Sequence, residues 1–206
     1  MKESFWRQYF DIFILIILMG LFLFLFISHL SLLYEEAKIK KSFLYFVGMM
    51  PKKEEIAFWV TKDKSELEHF LEESSERKVL INEWYKKLVG RDISFLEIQL
   101  EKDASLELIL DRISHSQERI EALEKMYRNM LGRPLNSNEL FFHVRVRTHL
   151  LELQKSLNNS EERKKAIMKT YKDLIKREPT LGELGKHIVN FHTIEWIRVT
   201  ELHEGR

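Results

Sequence analysis

The feature that most constrains this chain is a pattern that returns four times. WYKKLVGRDISFLEIQL from Trp84, MYRNMLGRPLNSNELFF from Met126 and TYKDLIKREPTLGELGK from Thr170 superimpose, and a fainter copy, SFLYFVGMMPKKEEIAF, starts at Ser42. With Gly48, Gly90, Gly132 and Lys176 as a common origin, successive copies lie 42, 42 and 44 residues apart. Nine residues before the origin stand Ile39, Ile81, Leu123 and Ile167, and five before it Phe43, Tyr85, Tyr127 and Tyr171. Apolar residues also fill the two positions before it: Phe46 and Val47, Leu88 and Val89, Met130 and Leu131, Leu174 and Ile175. The spacing i, i+4, i+7, i+8 is one face of a helix, written four times.

The punctuation repeats as well. Gly at the origin suits the left-handed residue that ends a helix, and Arg91, Arg133 and Arg177 follow it near the negative helix end. Ser94, Asn136 and Thr180 precede Glu97, Glu139 and Glu183 by three residues, a capping box for a second helix; the first copy keeps only Glu55. Short amphipathic stretches, Leu106 to Ile113 and Leu150 to Leu157, predict a third helix. The runs Ser75-Glu76-Arg77, Ser116-Gln117-Glu118-Arg119 and Ser160-Glu161-Glu162-Arg163 then open the next long helix, with Ser as N-cap. Units that cannot bury their faces alone must stack on neighbours. The expected fold is therefore all-α, an array of about four three-helix units.

Ahead of the array, the chain from Ile12 to Leu33 holds one imidazole, His29, and no formal charge. Twenty-two helical residues span about 33 Å, close to the roughly 30 Å of a hydrocarbon core. A signal peptide is the competing reading. Its apolar core is shorter and ends at small residues, whereas bulky Leu32, Leu33 and Tyr34 stand here, so an uncleaved single-pass anchor is expected. Trp6, Tyr9 and Tyr34 flank the span as interfacial aromatics do. Lys2 and Arg7 on one side against Lys38, Lys40 and Lys41 on the other leave the orientation open. The expected divisions are a polar tail at 1–11, a transmembrane helix at 12–33, and units at 34–74, 75–115, 116–159 and 160–206, the last a truncated cap.

Charge and composition narrow the function. Lys plus Arg number 33 against 32 Asp plus Glu, and the first 34 residues remove equal numbers of each, so no basic excess points to nucleic acid. Without cysteine there is no disulfide, thiolate metal site or thiol nucleophile. Histidine pairs such as His143 and His149, or His187 and His192, have spacings of six and five and miss the helical metal motif, so no metal or cofactor is expected. The repeated Glu residues read as caps rather than catalytic carboxylates. Asn158-Asn159-Ser160 matches a glycosylation acceptor, although its Ser already serves the repeat.

These residues resemble bacterial helical repeats of unknown function built on Tyr, Leu-Gly-Arg, an apolar-aromatic-Trp stretch and a closing Ser-x-Glu. The likeness covers about residues 39–206 and is carried by Tyr127, Leu131-Gly132-Arg133, Leu140, Phe142 and Ser160-Glu161-Glu162, and in the first copy by Pro51, Ile56, Phe58 and Trp59. The helical linker domains of phycobilisomes, which are binding scaffolds, are similar in spacing. The chain departs from the pattern where Glu replaces Gly seven residues past the origin, where Trp eleven past it survives only as Trp59, and at Lys176. The resemblance brings no agreed activity with it. Its members occur in cell-surface, secreted and glycosyltransferase-associated proteins.

The resulting expectation is a non-catalytic, membrane-anchored scaffold that docks a protein partner. The alternative is an accessory domain of surface-glycan assembly that binds carbohydrate. The candidate binding surface comprises Trp59, Arg91, Arg133, Phe142, His143, Arg177, His187 and Trp196. No Gly or Pro interrupts Leu21 to Val47, so the apolar helix is expected to run into the first unit as one rod. A protease site inserted between Glu35 and Lys41 should then resist cleavage in the native protein; ready cutting would show a flexible tether instead.

Overall fold

A computed structural model describes the backbone of residues 2–204 and the side chains of residues 13–201. Among these residues the chain is helical without a strand. A long helix followed by two shorter ones recurs along it: α1 Lys2–Phe46, α2 Lys53–Trp59 and α3 Lys64–Glu72; α4 Ser75–Leu88, α5 Phe95–Leu100 and α6 Leu106–His115; α7 Gln117–Leu131, α8 Ser137–Val146 and α9 Leu150–Asn158; α10 Glu161–Ile175, α11 Leu181–Val189 and α12 Ile194–Glu204. The chain divides into two compact units, residues 1–77 and 78–206.

Within the first unit, α1 is one unbroken helix of 45 residues. Every described side chain from Phe13 to Tyr34 is exposed, and the helix is long and apolar enough to cross a membrane, with a mean hydropathy of 2.8. The expected interfacial residues Trp6 and Tyr9, and the charges Lys2 and Arg7, lie outside the described side chains. Burial begins at Ile39. From there Ile39, Phe43, Phe46 and Val47 pack on Leu67 and Leu71 of α3, with Ile56, Trp59 and Val60 alongside.

In the second unit each long helix turns the same stripe inward. Ile81, Leu88 and Val89 of α4 and its C-terminal turn pack with Ile109 and Ile113 of α6. Leu123, Tyr127, Met130 and Leu131 of α7 meet Leu153 and Leu157 of α9, while Ile167 and Tyr171 of α10 meet Ile194 and Ile197 of α12. Each such aliphatic side chain contributes about 1.5–3 kcal/mol when fully withdrawn from water.

Two boundaries differ from expectation. Ser74, not Ser75, occupies the N-cap place of α4, since the Arg77 amide donates to Ser74 Oγ at 3.3 Å just as Arg119 and Arg163 donate to Ser116 and Ser160, each at 3.1 Å. The adjacent serine makes the register ambiguous in sequence. The last set also keeps a third helix of 11 residues rather than stopping short as a truncated cap.

The long helices close on left-handed residues. Gly132 has φ 69°, a left-handed backbone that favours glycine, whereas a Cβ there would make only ordinary contact with Ile194 Cγ2, at 3.4 Å. Lys176 holds the same place after α10 with φ 60° and accepts the strain. Replacing Lys176 with Gly should relieve about 1 kcal/mol. Unfolding followed by circular dichroism should show Tm rising by about 2–4 °C.

Candidate functional site

The repeated polar residues form two frameworks, one exposed and one buried. In the exposed one, Arg91 lies just past the end of α4 and donates to both oxygens of Glu97, at 2.6 and 3.0 Å, and to both of Glu118, at 2.5 and 2.7 Å. Arg133 repeats this with Glu139, at 2.7 and 2.9 Å, and Glu162, at 2.5 and 3.1 Å. Arg177 holds Glu183 at 2.6 and 2.8 Å. Planar forks matched to carboxylates give geometric specificity as well as attraction. Each guanidinium also lies over the ring of the tyrosine six residues before it, 5.1, 5.2 and 5.5 Å from Tyr85, Tyr127 and Tyr171.

Each glutamate serves twice. Glu97, Glu139 and Glu183 complete the capping boxes of α5, α8 and α11 by accepting the amides of Ser94, Asn136 and Thr180 at 2.8, 3.0 and 2.7 Å. The arginine fork, followed by the cap hydrogen bonds, holds the Glu97 carboxyl down at about 2. The three candidate surface arginines are therefore positioned by their partners, and none converges with another on a single pocket.

The buried framework escapes sequence reading. Arg77, Arg119 and Arg163 are almost wholly withdrawn from solvent. Within the first unit, Arg77 donates to the Phe46 carbonyl at 2.8 Å. In the second, Arg119 donates to the carbonyls of Leu88 and Thr148, and Arg163 to those of Met130 and His192. Phe46, Leu88 and Met130 lie in the last turns of α1, α4 and α7, where helix carbonyls lack intrahelical partners. A cation there is favoured by the helix dipole. Burial pulls the Arg119 and Arg163 guanidiniums down to about 10, still charged at neutral pH. The sequence signal was the spacing Ser-x-x-Arg, which reads as a helix start on an exposed surface and hides the inward direction of the arginine.

A third contact joins the positions five before and eleven past the origins at Gly132 and Lys176. Tyr127 Oη lies 2.8 Å from His143 Nε2 and Tyr171 Oη 2.7 Å from His187 Nε2. His143 Nδ1 meets Thr148 Oγ1 and His187 Nδ1 meets His192 Nδ1, each at 3.1 Å. Glu201 Oε1 stands 3.3 Å from His187 Nε2. Burial pushes both His143 and His187 below the usual imidazole value. Placed on the candidate binding surface by expectation, the two histidines are buried packing residues. In the first unit the corresponding pair, Phe43 and Trp59, packs within one apolar core.

The remaining candidates are dispersed. Trp59 sits between Phe58, 5.0 Å away, and Phe70, 5.2 Å away. Phe142 is exposed and touches His143, and Trp196, also exposed, lies with its ring 3.6 Å from that of His192 at a tilt of 33°. Asn158 is buried and donates to the Ile188 carbonyl at 2.8 Å, so the glycosylation match falls on a side chain engaged in packing. No group of three or more metal-ligating side chains occurs among the described residues.

No family model, curated protein or solved structure matches the chain. Its function must be read from the frameworks themselves.

The Glu97 carboxyl lies below its ordinary value of 4.5 in the folded protein, so its contribution is complete above pH 4.5 and is lost as pH falls toward 2. Glu97→Gln should therefore flatten the acid side of a Tm-versus-pH curve in that window. A variant that keeps the wild-type slope there would show that the fork contributes nothing to stability.

Proposed function

We propose that the protein is a single-pass membrane protein whose helical array, about four units of 42 to 44 residues, acts as a non-catalytic docking scaffold for another protein. The observation that carries this reading is where the repeated polar residues go. The Arg residues that recur at the unit spacing, and the Glu residues they hold, are engaged in caps, forks or helix-end contacts, as Arg91, Glu97 and Glu118 are. The periodicity thus maintains a framework that displays surface. The exposed apolar length of α1, all of it on the helix that goes on to build the first unit's core, supports a bilayer as that unit's support.

This reading also treats the units at 34–74, 75–115, 116–159 and 160–206 as successive copies, with the first continuous with the membrane helix. The recurrence of the arginine contacts 42 and 44 residues apart supports the register.

Membrane fractions washed at alkaline pH should retain the intact chain, and replacing Leu21, Leu23 and Leu25 with Asp should release it. Crosslinking in detergent extracts should then recover a reproducible protein partner. Recovery of a chain cleaved after the apolar segment would overturn the anchor. Turnover of a substrate by purified protein that recovers no partner would overturn the scaffold.

A further inference from the structure

The repeating framework of the second unit is left open at α10, and three separate features there point the same way. First, Arg91 and Arg133 each hold two carboxylates, the second supplied by the first turn of the next long helix. Arg177 holds Glu183, and among the described residues no carboxylate reaches its Nε edge. Second, the carbonyls of Leu88 and Met130 each receive a guanidinium from that next helix. At the equivalent Leu174 no guanidinium arrives among the described residues.

Third, a groove of about 540 Å³ runs beside α10 and α12, lined by Ala166, Lys169, Leu174, Ile194 and Arg198 among others. Its counterpart one step earlier, between Ala122, Met126, Met130 and Leu150, is about 250 Å³ and is bordered by Phe191 and Thr193 of the following set. Where the earlier groove has Gln154, the open one has Arg198, and Lys165 joins its lining while Asn129 gives way to Asp173. The open groove is accordingly more basic than the occupied one.

We propose that this edge docks a helix of a partner protein whose first turn reads Ser-x-Glu-Arg. The partner's glutamate closes on the Nε edge of Arg177, as Glu118 does on Arg91, and its arginine caps the Leu174 carbonyl, as Arg119 does that of Leu88. An acidic first turn also suits the basic groove. The chain's own three turns of this kind, at 74–77, 116–119 and 160–163, already seat their arginines on Phe46, Leu88 and Met130, so none of them is the occupant. This inference rests on the scaffold reading and names the chemistry of its partner.

The probe is a fluorescent peptide of residues 160–175, held helical by a covalent link between positions 165 and 169 and added to the full chain in lipid nanodiscs. Binding should be saturable. Arg177→Ala in the protein, and Glu162→Gln or Arg163→Met in the peptide, should each weaken it at least tenfold, while Arg128→Ala should leave it unchanged. Arg177→Lys, which keeps the charge and loses the fork, should fall between, separating the contact from a folding defect, and circular dichroism of each variant verifies the fold.

Absence of binding up to millimolar peptide, or equal binding to Arg177→Ala, overturns the proposal. So does a crosslinked partner recovered in undiminished yield by Arg177→Ala, an outcome that would leave the scaffold reading standing with another surface.

Discussion

The structure depends on guanidinium groups buried at the ends of helices. Where α4 and α7 end, their last carbonyls face inward and lack partners, and leaving such groups bare costs about 1–3 kcal/mol each. Arg119 and Arg163 supply the missing donors from the next long helix while reaching the loops ahead of α9 and α12. One side chain thus satisfies two backbone segments and carries a positive charge where the helix dipole favours it. Since a buried charge is expensive to leave unpaired, departures from this geometry are strongly penalised. The direction of each step within the second unit follows from that constraint.

The exposed arginines act on the same junctions from the outside. Because Glu97 and Glu139 are at once cap residues and fork partners, the start of α5 or α8 is coupled to the first turn of the following long helix through Arg91 or Arg133. Isolated surface ion pairs contribute little. Shared bidentate contacts combined with capping hydrogen bonds behave differently, since fixing one member orders the others.

Much of this was legible in the sequence because it depends on local rules. Helix ends, capping boxes and the inward stripe follow from spacing, and α6 and α9 begin where the amphipathic stretches begin. The buried arginines were not legible because their spacing equals that of a solvent-facing helix start, and only the packed structure shows which way they point. The pairing of His143 with Tyr127 and His187 with Tyr171 was hidden for a similar reason: the partners lie 16 residues apart, on different helices, and neither type announces burial. In the pairs of Tyr127 and Tyr171 the contact is polar, and where the residue is Phe43 the matching one is Trp59, so the two positions form one packing decision, polar in two places and apolar in a third.

The continuity of α1 has a further mechanical meaning on the proposed bilayer reading. From Leu33 to Ile39 the helix climbs six residues, about 9 Å, little more than the thickness of a headgroup layer. The first unit is thereby given both a height and an azimuth. Adding one residue between Leu33 and Ile39 would lift that unit only about 1.5 Å yet swing it about 100° around the helix axis. The number of residues in that short stretch, more than their identity, sets which face of the first unit looks along the membrane.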